Sequence, residues 1–159
     1  MVYSFLVRAL GIDYGTRRIG LALSDATGLL ARPWKTIAAS GGPAQVAAVL
    51  VAEVRALTEE SDGLAAIALG YPRKLNGSPT HQTAAVEAVA TALRALIEIP
   101  VVLQDERLSS REAESELARR HKDWRKRKQL LDAASAAIIL QDYLDERARQ
   151  AARVEGGNV

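Results

Sequence analysis

The stretch from Leu10 to Leu23 limits the fold of this chain more than any other segment. An apolar strand ends in Asp13, a turn follows at Gly15, and a second apolar strand returns from Ile19. A carboxylate among strand residues loses its hydration, which is costly unless a cation, a hydrogen-bond donor or a proton compensates. Gly15 allows a sharp reversal and a close backbone approach at the same point. The stretch therefore predicts a β-hairpin that carries Asp13 as a metal-ligand or catalytic candidate.

The size and composition of the chain favour one ordinary globular domain. Its 159 residues are 48% hydrophobic and 25% charged, and a chain of this length buries roughly two-thirds of its unfolded surface. No apolar run approaches the roughly 18 residues that span a bilayer, and no basic region precedes the first apolar segment, so we expect no membrane anchor and no signal peptide. The chain has no cysteine, which excludes disulfides and thiolate zinc sites. We expect a cytoplasmic protein whose two histidines, His81 and His121, lie at the surface.

The order of the predicted elements indicates a mixed α/β fold. Strands are predicted at residues 3–13, 17–24, 29–37, 64–69 and 101–104, and helices are predicted to begin near Pro43, at Ser78-Pro79, at Ser109 and at Leu130. The first three strands can form an antiparallel meander, whereas the last two need helical crossovers and should run parallel. We expect a five-stranded sheet flanked by helices in one domain over residues 1–150, followed by a disordered tail at residues 151–159.

Carboxylates stand at three places that this architecture can bring together. Asp13 closes the first strand, Asp105 and Glu106 close the fifth, and Asp132 precedes an alanine-rich helical segment. Small helix residues allow a close approach to the sheet, which would carry Asp132 toward the strand ends. Oxygen ligands of this kind suit Mg²⁺ or Mn²⁺, and two such ions can activate water in phosphodiester cleavage. Alternation puts Asp105 and Glu106 on opposite faces and does not choose between them. Singly, each acid could equally be a turn or helix-dipole residue.

The positive charge of the chain is concentrated in one segment. Residues 119–128 hold seven of the 21 Lys and Arg residues and a single acid, a distribution typical of a polyanion contact. An indole can stack on an unpaired base, although Trp124 taken alone is more typical of core packing. Basic residues also occur in the loops that flank the carboxylates. The predicted nucleic-acid contacts are Arg17, Arg18, Arg73, Lys74, Arg119, Arg120, Lys122, Trp124, Arg125, Lys126, Arg127 and Lys128.

Four motifs occur along the chain in a recognisable order. They are Gly11-Ile12-Asp13-Tyr14-Gly15-Thr16-Arg17-Arg18-Ile19-Gly20, Gly70-Tyr71-Pro72 with Asn76-Gly77, Asp105-Glu106-Arg107-Leu108-Ser109-Ser110, and Asp132-Ala133-Ala134-Ser135-Ala136-Ala137. Together they resemble the YqgF/RuvX family of RNase H-like proteins, known as Holliday-junction resolvases and as nucleases that mature the 5′ end of precursor 16S ribosomal RNA. The resemblance runs from about Leu10 to Leu144.

The resemblance implies an RNase H-like fold with metal-binding, catalytic acids at Asp13, Glu106 and Asp132, and thereby selects Glu106 over Asp105. This chain departs from the family pattern in one loop. Tyr71 stands where the family usually has leucine, and Asn76 stands where it usually has aspartate. An asparagine keeps the turn-forming side chain but removes a charge.

These observations predict a nuclease that uses Mg²⁺ or Mn²⁺, with two ions when substrate is bound, and cleaves structured nucleic acid. We prefer 5′-end maturation of precursor 16S ribosomal RNA. The alternative is a junction resolvase, which normally pairs two active sites by dimer symmetry; no dedicated dimer element stands out, so we expect a monomer or weak homodimer with no membrane partner. A non-catalytic nucleic-acid-binding module is disfavoured, because carboxylates beside phosphates repel them unless a metal intervenes. The Asp13-Tyr14-Gly15-Thr16 turn also resembles the phosphate loop of actin-like ATPases and sugar kinases. Those proteins close two such domains over a nucleotide, and this chain has the length of only one, so we do not expect ATP hydrolysis.

Overall fold

The computed structural model describes residues 7–74, 76–106 and 124–157, with side chains left undescribed at residues 124–130. The described residues form five strands and three helices. In chain order these are β1 (Ala9–Tyr14), β2 (Arg18–Ser24), β3 (Ala31–Ala38), α1 (Pro43–Glu59), β4 (Ala66–Tyr71), α2 (Thr83–Leu96), β5 (Val101–Asp105) and α3 (Trp124–Gly156). The helix predicted to begin at Ser109 lies outside the described residues.

The five strands form one mixed sheet in the order β3-β2-β1-β4-β5. β1 pairs with β2, and β2 with β3, in antiparallel ladders. β4 runs parallel to β1, and β5 runs parallel to β4. The predicted sheet of three antiparallel strands followed by two parallel strands is confirmed. Because β1, β4 and β5 are parallel, their carboxyl ends lie at the same edge of the sheet.

The two faces of the sheet carry side chains of very different size. The face toward α1 and α2 carries large apolar residues that form the main core, among them Leu10, Ile12, Ile19, Leu21, Ile67 and Leu69. The face toward α3 carries Ala9, Ala22, Ala66 and Ala68, packed against α3 residues such as Ala136 and Leu140. Alternation along each strand produces this difference. The sheet is therefore covered on both faces, with the helix of the second face lying unusually close.

Glycines on the face of the sheet toward α3, here called the small face, allow the helix to lie against the strands. A Cβ atom built on Gly11 would lie 2.7 Å from the Ala136 carbonyl oxygen and from the Leu140 Cβ atom. A Cβ atom on Gly20 would overlap the carbonyl oxygen of Asp132. At both positions the obstructing group includes helix backbone, which cannot rotate away. The backbone of α3 thus lies directly on β1 and β2, and this contact fixes the position of Asp132.

A buried arginine joins β1 to the end of α1. Arg8 donates from Nε to the Gly63 carbonyl at 2.7 Å and from Nη2 to the Leu57 carbonyl at 3.0 Å, and its Nη1 pairs with Glu60 at 2.9 Å. The three contacts compensate the burial of the guanidinium. They hold the start of β1, and so the register of the strand that carries Asp13.

The start of α2 differs from the prediction. The helix begins at Thr83, not at Ser78-Pro79, because the residues before it form a turn closed by other contacts. Asn76 Oδ1 accepts from the Ser78 N–H at 3.0 Å and from the Ser78 hydroxyl at 2.6 Å, and Arg73 forms a β-bridge with Pro79. Asn76 therefore keeps the turn-forming role expected of it.

The end of α3 also differs from the prediction. Residues 151–159 were expected to form a disordered tail, whereas the helix continues through Gly156. The last turns are rich in alanine and arginine, which favour helix even where the side chains are exposed. Among the described residues, no helix is both long enough and apolar enough to cross a membrane.

Replacing Gly20 by alanine is expected to push α3 away from the sheet. The added methyl group meets helix backbone, so the variant should lose at least about 2 kcal/mol of unfolding free energy. Urea unfolding followed by circular dichroism measures this loss. The control is Gly156→Ala, where a Cβ atom would have no neighbour within 4 Å. Equal stability of the two variants would contradict the close packing of α3.

Candidate active site

Asp13 projects from β1 on the face that α3 covers. It pairs across the ladder with Gly20, and directly paired residues point to the same side of a sheet. Gly11, two residues earlier, shares that side and contacts α3. The sheet thus places the carboxylate of Asp13 beside the helix that carries Asp132, as the sequence predicted.

Glu106 reaches the same face from the end of β5. Asp105 pairs with Tyr71, and Gln104 pairs with Gly70, so Glu106 falls on the side of Gly70 by alternation. A Cβ atom on Gly70 would lie 2.6 Å from Ile139 Cδ1 and 2.8 Å from Glu106 Oε2, so the glycine lets the carboxylate lie against β4 without a shift of either side chain. Strand register therefore places Glu106, and not Asp105, beside Asp13.

Asp132 enters the site from α3 and is held by an arginine. Its backbone lies against Gly20, and its Oδ2 atom lies 3.0 Å from Arg18 Nε in an ion pair that lacks the alignment of a hydrogen bond. Arg18 begins β2 and, like Gly20, belongs to the face toward α3. The β1–β2 hairpin thus supplies both the carboxylate of Asp13 and the cation that pairs with Asp132.

The carboxyl groups of Asp13 and Glu106 are hydrogen-bonded to each other. Burial raises the pKa of Asp13 to about 6, with a further upward contribution from the charge of Asp132 and an opposing one from the hydrogen bond. Burial also raises the pKa of Glu106 to about 8, assisted by the charge of Asp13. Without a cation, the pair retains a proton that isolated carboxyl groups would have lost.

This donor set fits a hard divalent cation in its chemistry. The ligands are carboxylate oxygens, which Mg²⁺ and Mn²⁺ prefer, and a cation between Asp13 and Glu106 would replace the proton that they share. The three carboxyl groups are not all placed around one common metal position. Within the described ranges, no three Asp, Glu, His or Cys residues stand close enough together to hold a metal ion. Asp132 is directed to Arg18 instead, so binding by all three requires a rearrangement of side chains.

The loop residues predicted to contact nucleic acid lie at the same edge of the sheet. Arg17 lies in the hairpin turn beyond Asp13, Arg18 begins β2, and Arg73 and Lys74 follow the end of β4. Arg73 stacks on the Tyr71 ring, with its guanidinium carbon 4.8 Å from the ring centre. The Tyr71 hydroxyl in turn donates to Glu87 on α2. The tyrosine that departs from the family pattern therefore orients Arg73.

The predicted basic segment falls largely beyond what the structure describes. Arg119, Arg120, His121 and Lys122 lie outside the described residues. The backbone of residues 124–128 forms the first turns of α3, while the side chains of Trp124, Arg125, Lys126, Arg127 and Lys128 are not described. Their contact with nucleic acid stays a prediction. His81 is exposed, at the surface position expected of it.

Two glycines of the sheet make room for the site, and neither was predicted from the sequence. Gly20 and Gly70 carry no functional group, yet they allow Asp132 and Glu106 to approach the strands. Their signal was present as an alternation of small and large residues, as in Ala66-Ile67-Ala68-Leu69-Gly70. A strand of this pattern indicates one face prepared for a closely packed helix.

The arrangement of these residues agrees with the comparison to known proteins. A family model described as "RuvX: Holliday junction resolvase" matches residues 7–146, which is nearly the whole described domain. The chain belongs to the RuvX family. The match covers all three carboxylates and both arginines of the hairpin turn.

Bacterial relatives of this RuvX chain carry another name. A protein of Geobacillus kaustophilus, named "Putative pre-16S rRNA nuclease", is 38% identical over 141 residues, covering 89% of this chain and 99% of its own. A protein of Syntrophus aciditrophicus with the same name is 38% identical over 139 residues, covering 87% and 89%. Both the family description and these names are those of nucleases.

The fold of this RuvX chain has a solved counterpart. The structure titled "T. thermophilus RuvC in complex with Holliday junction substrate" matches with a TM-score of 0.50 and 17% identity, covering 84% of this chain and 91% of that one. At that identity the likeness concerns the fold alone. It confirms the RNase H-like fold predicted from the sequence.

In metal-free buffer, the carboxylate pair is expected to destabilise the protein as the pH rises. The folded pKa values of Asp13 and Glu106 exceed their ordinary values, so the folded chain binds more protons than the unfolded chain between about pH 4 and about pH 8. The free energy of unfolding therefore falls across that window. Asp13→Asn removes the repulsion, and in EDTA at pH 8 it should melt at least about 3 °C above the wild type.

Thermal unfolding at pH 4 and pH 8 measures this difference. At pH 4 both proteins should melt at nearly the same temperature, because the carboxyl pair of the wild type is then protonated. Asp62→Asn changes an exposed turn carboxylate and serves as the control. A gain at pH 8 that is as large in Asp62→Asn as in Asp13→Asn would contradict the proposed origin.

Proposed function

We propose that this protein is a divalent-metal-dependent nuclease in which Asp13, Glu106 and Asp132 hold Mg²⁺ or Mn²⁺. The observation that carries the proposal is the direct contact of Asp13 and Glu106 in a partly buried site beside Asp132. Carboxyl groups whose pKa values are raised by burial and by a neighbouring acid are a costly arrangement for stability alone. A bound divalent cation would neutralise the carboxylates and remove this free-energy cost, which would explain why the three acids share one face.

The acidic and basic residues at this site would have different roles in the reaction. When bound, Mg²⁺ or Mn²⁺ would activate water and stabilise the leaving oxygen of a phosphodiester. Asp13 and Glu106 would bind the cations from fixed strand ends, and Asp132 would complete the set from α3. Arg17, Arg18, Arg73 and Lys74 would position the negatively charged backbone of the substrate, since phosphate contacts set the register of nucleic acid on a protein. The basic segment at residues 119–128 would extend that contact.

Precursor 16S ribosomal RNA is the substrate that we favour. The two relatives at 38% identity carry names that specify this RNA, and they align over almost their entire length. Maturation of its 5′ end would place the protein in the cytoplasm, acting as a monomer or weak homodimer. The family description favours a second candidate, cleavage of four-way DNA junctions, which would require two sites related by symmetry.

Cleavage of two labelled substrates is expected to separate these functions. A precursor ribosomal RNA leader and a four-way DNA junction are each incubated with Mn²⁺, Mg²⁺ or EDTA. We expect metal-dependent removal of the RNA leader, and a loss of at least about a hundredfold in rate for Asp13→Asn, because a metal ligand is removed. Binding of the leader in EDTA should change little in that variant. Asp62→Asn, with the same change of charge far from the site, should cleave like the wild type.

Three other outcomes of the cleavage experiment would contradict part of this proposal. Symmetric nicking of the junction without action on RNA would make the protein a resolvase. Retained metal-dependent cleavage by Asp13→Asn would overturn the assignment of the site. Binding of both substrates without cleavage in any metal would favour a non-catalytic nucleic-acid-binding module.

A further inference from the structure

The hairpin turn between β1 and β2 presents two arginines from a fixed backbone. The Gly15 N–H donates to the Arg18 carbonyl at 2.9 Å and closes the turn. The Ala39 N–H, just beyond β3, donates to the Arg17 carbonyl at 2.9 Å. The turn is thus tied both to itself and to the neighbouring strand. Side chains on such a frame bind a ligand with little loss of backbone entropy.

A cavity of about 330 Å³ lies beside this turn. Its wall is polar and consists of Gly15, Thr16, Arg17, Arg18, Gln82 and Asp132. Two guanidinium groups, a hydroxyl and a side-chain amide are all able to donate hydrogen bonds to an anion. The cavity has room for a phosphate group with its attached sugar. Because Asp132 belongs to the wall, an anion in the cavity would lie next to the carboxylate site.

Arg17 and Arg18 both have guanidinium N–H groups that could donate hydrogen bonds to a ligand. Arg17 is exposed, and its guanidinium makes no ion pair with any described residue. Arg18 approaches Asp132 through Nε, and its two terminal nitrogens make no hydrogen bond or ion pair with any residue in the described part of the chain. A guanidinium binds phosphate through two parallel hydrogen bonds, which gives both strength and orientation.

The ion pair of Arg18 with Asp132 also opposes cation binding. Asp132 Oδ2 lies 3.0 Å from Arg18 Nε, so its negative charge is already partly neutralised and attracts a divalent cation less strongly. The positive charge of Arg18 also repels a cation that binds next to Asp132. A phosphate group in the cavity would supply Arg18 with a different anion. Asp132 would then turn toward Asp13 and Glu106 and complete the set of carboxylates.

We propose that this cavity is a phosphate subsite in which Arg18 exchanges Asp132 for a phosphate group of the substrate, so that the phosphate and the divalent cation strengthen each other's binding. The proposal rests on the proposed function, because it takes nucleic acid as the source of the phosphate and the three carboxylates as the cation site. By reciprocity, the cation must raise the affinity for the phosphate by the same factor.

Binding of Mn²⁺ in the absence of nucleic acid tests the first half of the proposal. Titration calorimetry compares the wild type with Arg18→Gln and with Arg17→Gln, which removes the same charge from the neighbouring residue. We expect Arg18→Gln to bind Mn²⁺ about tenfold more tightly than the wild type, and Arg17→Gln to change the affinity by less than about threefold. Arg18→Met should repeat the result if the glutamine variant fails to fold by circular dichroism.

An oligonucleotide of the leader sequence that ends at the cleavage site, and so has no scissile bond, tests the effect of a bound phosphate. It should tighten Mn²⁺ binding by the wild type about tenfold and leave that of Arg18→Gln nearly unchanged. An Arg18→Gln variant that binds Mn²⁺ no more tightly than Arg17→Gln, or that still shows the full effect of the oligonucleotide, would overturn the proposal. Cleavage by the wild type with loss in Asp13→Asn would leave the proposed function standing in that case, so the two failures are distinguishable.

Discussion

The contact between α3 and the small face of the sheet supports every other feature of the site. Gly11 and Gly20 let the helix backbone lie on β1 and β2, and alanines fill the remainder of that interface. The opposite face carries the large side chains of the main core. One sheet therefore performs two tasks, because its strands alternate between residues that stabilise the fold and residues that leave space for chemistry.

The edge of the sheet determines which groups meet in that space. The carboxyl ends of the parallel strands β1, β4 and β5 lie together, as is usual for ligand sites in open α/β sheets. Asp13, Gly70 and Glu106 stand at these ends on one face, and α3 delivers Asp132 to the same place. The resulting group of acids is unfavourable in isolation, and the hydrogen bond between Asp13 and Glu106 and the ion pair of Arg18 with Asp132 compensate part of that cost.

Much of this arrangement could be predicted from the sequence, and the exceptions have physical causes. The number and directions of the strands, the place of Asp13 and the close approach of the alanine-rich helix followed from residue patterns. The choice between Asp105 and Glu106 could not be made from residue patterns. The apolar residues of β5 are similar in size on its two faces, so they do not show which face of the strand points toward Asp13. That choice came from the family resemblance, and strand register supplies its geometric reason. The start of α2 was misplaced because the Asn76 turn and the Arg73–Pro79 bridge involve partners that local patterns do not show. The ion pair of Arg18 with Asp132 joins residues far apart in sequence.

A crystal of the protein soaked in Mn²⁺, with data collected at a wavelength where manganese scatters anomalously, tests the carboxylate site most directly. We expect an anomalous peak in contact with carboxylate oxygens of Asp13 and Glu106, on the face of the sheet that α3 covers. An oligonucleotide in the crystal should bring Asp132 into the same coordination. Manganese bound elsewhere, with the hydrogen bond between Asp13 and Glu106 intact, would contradict the claim that these acids are a cation site.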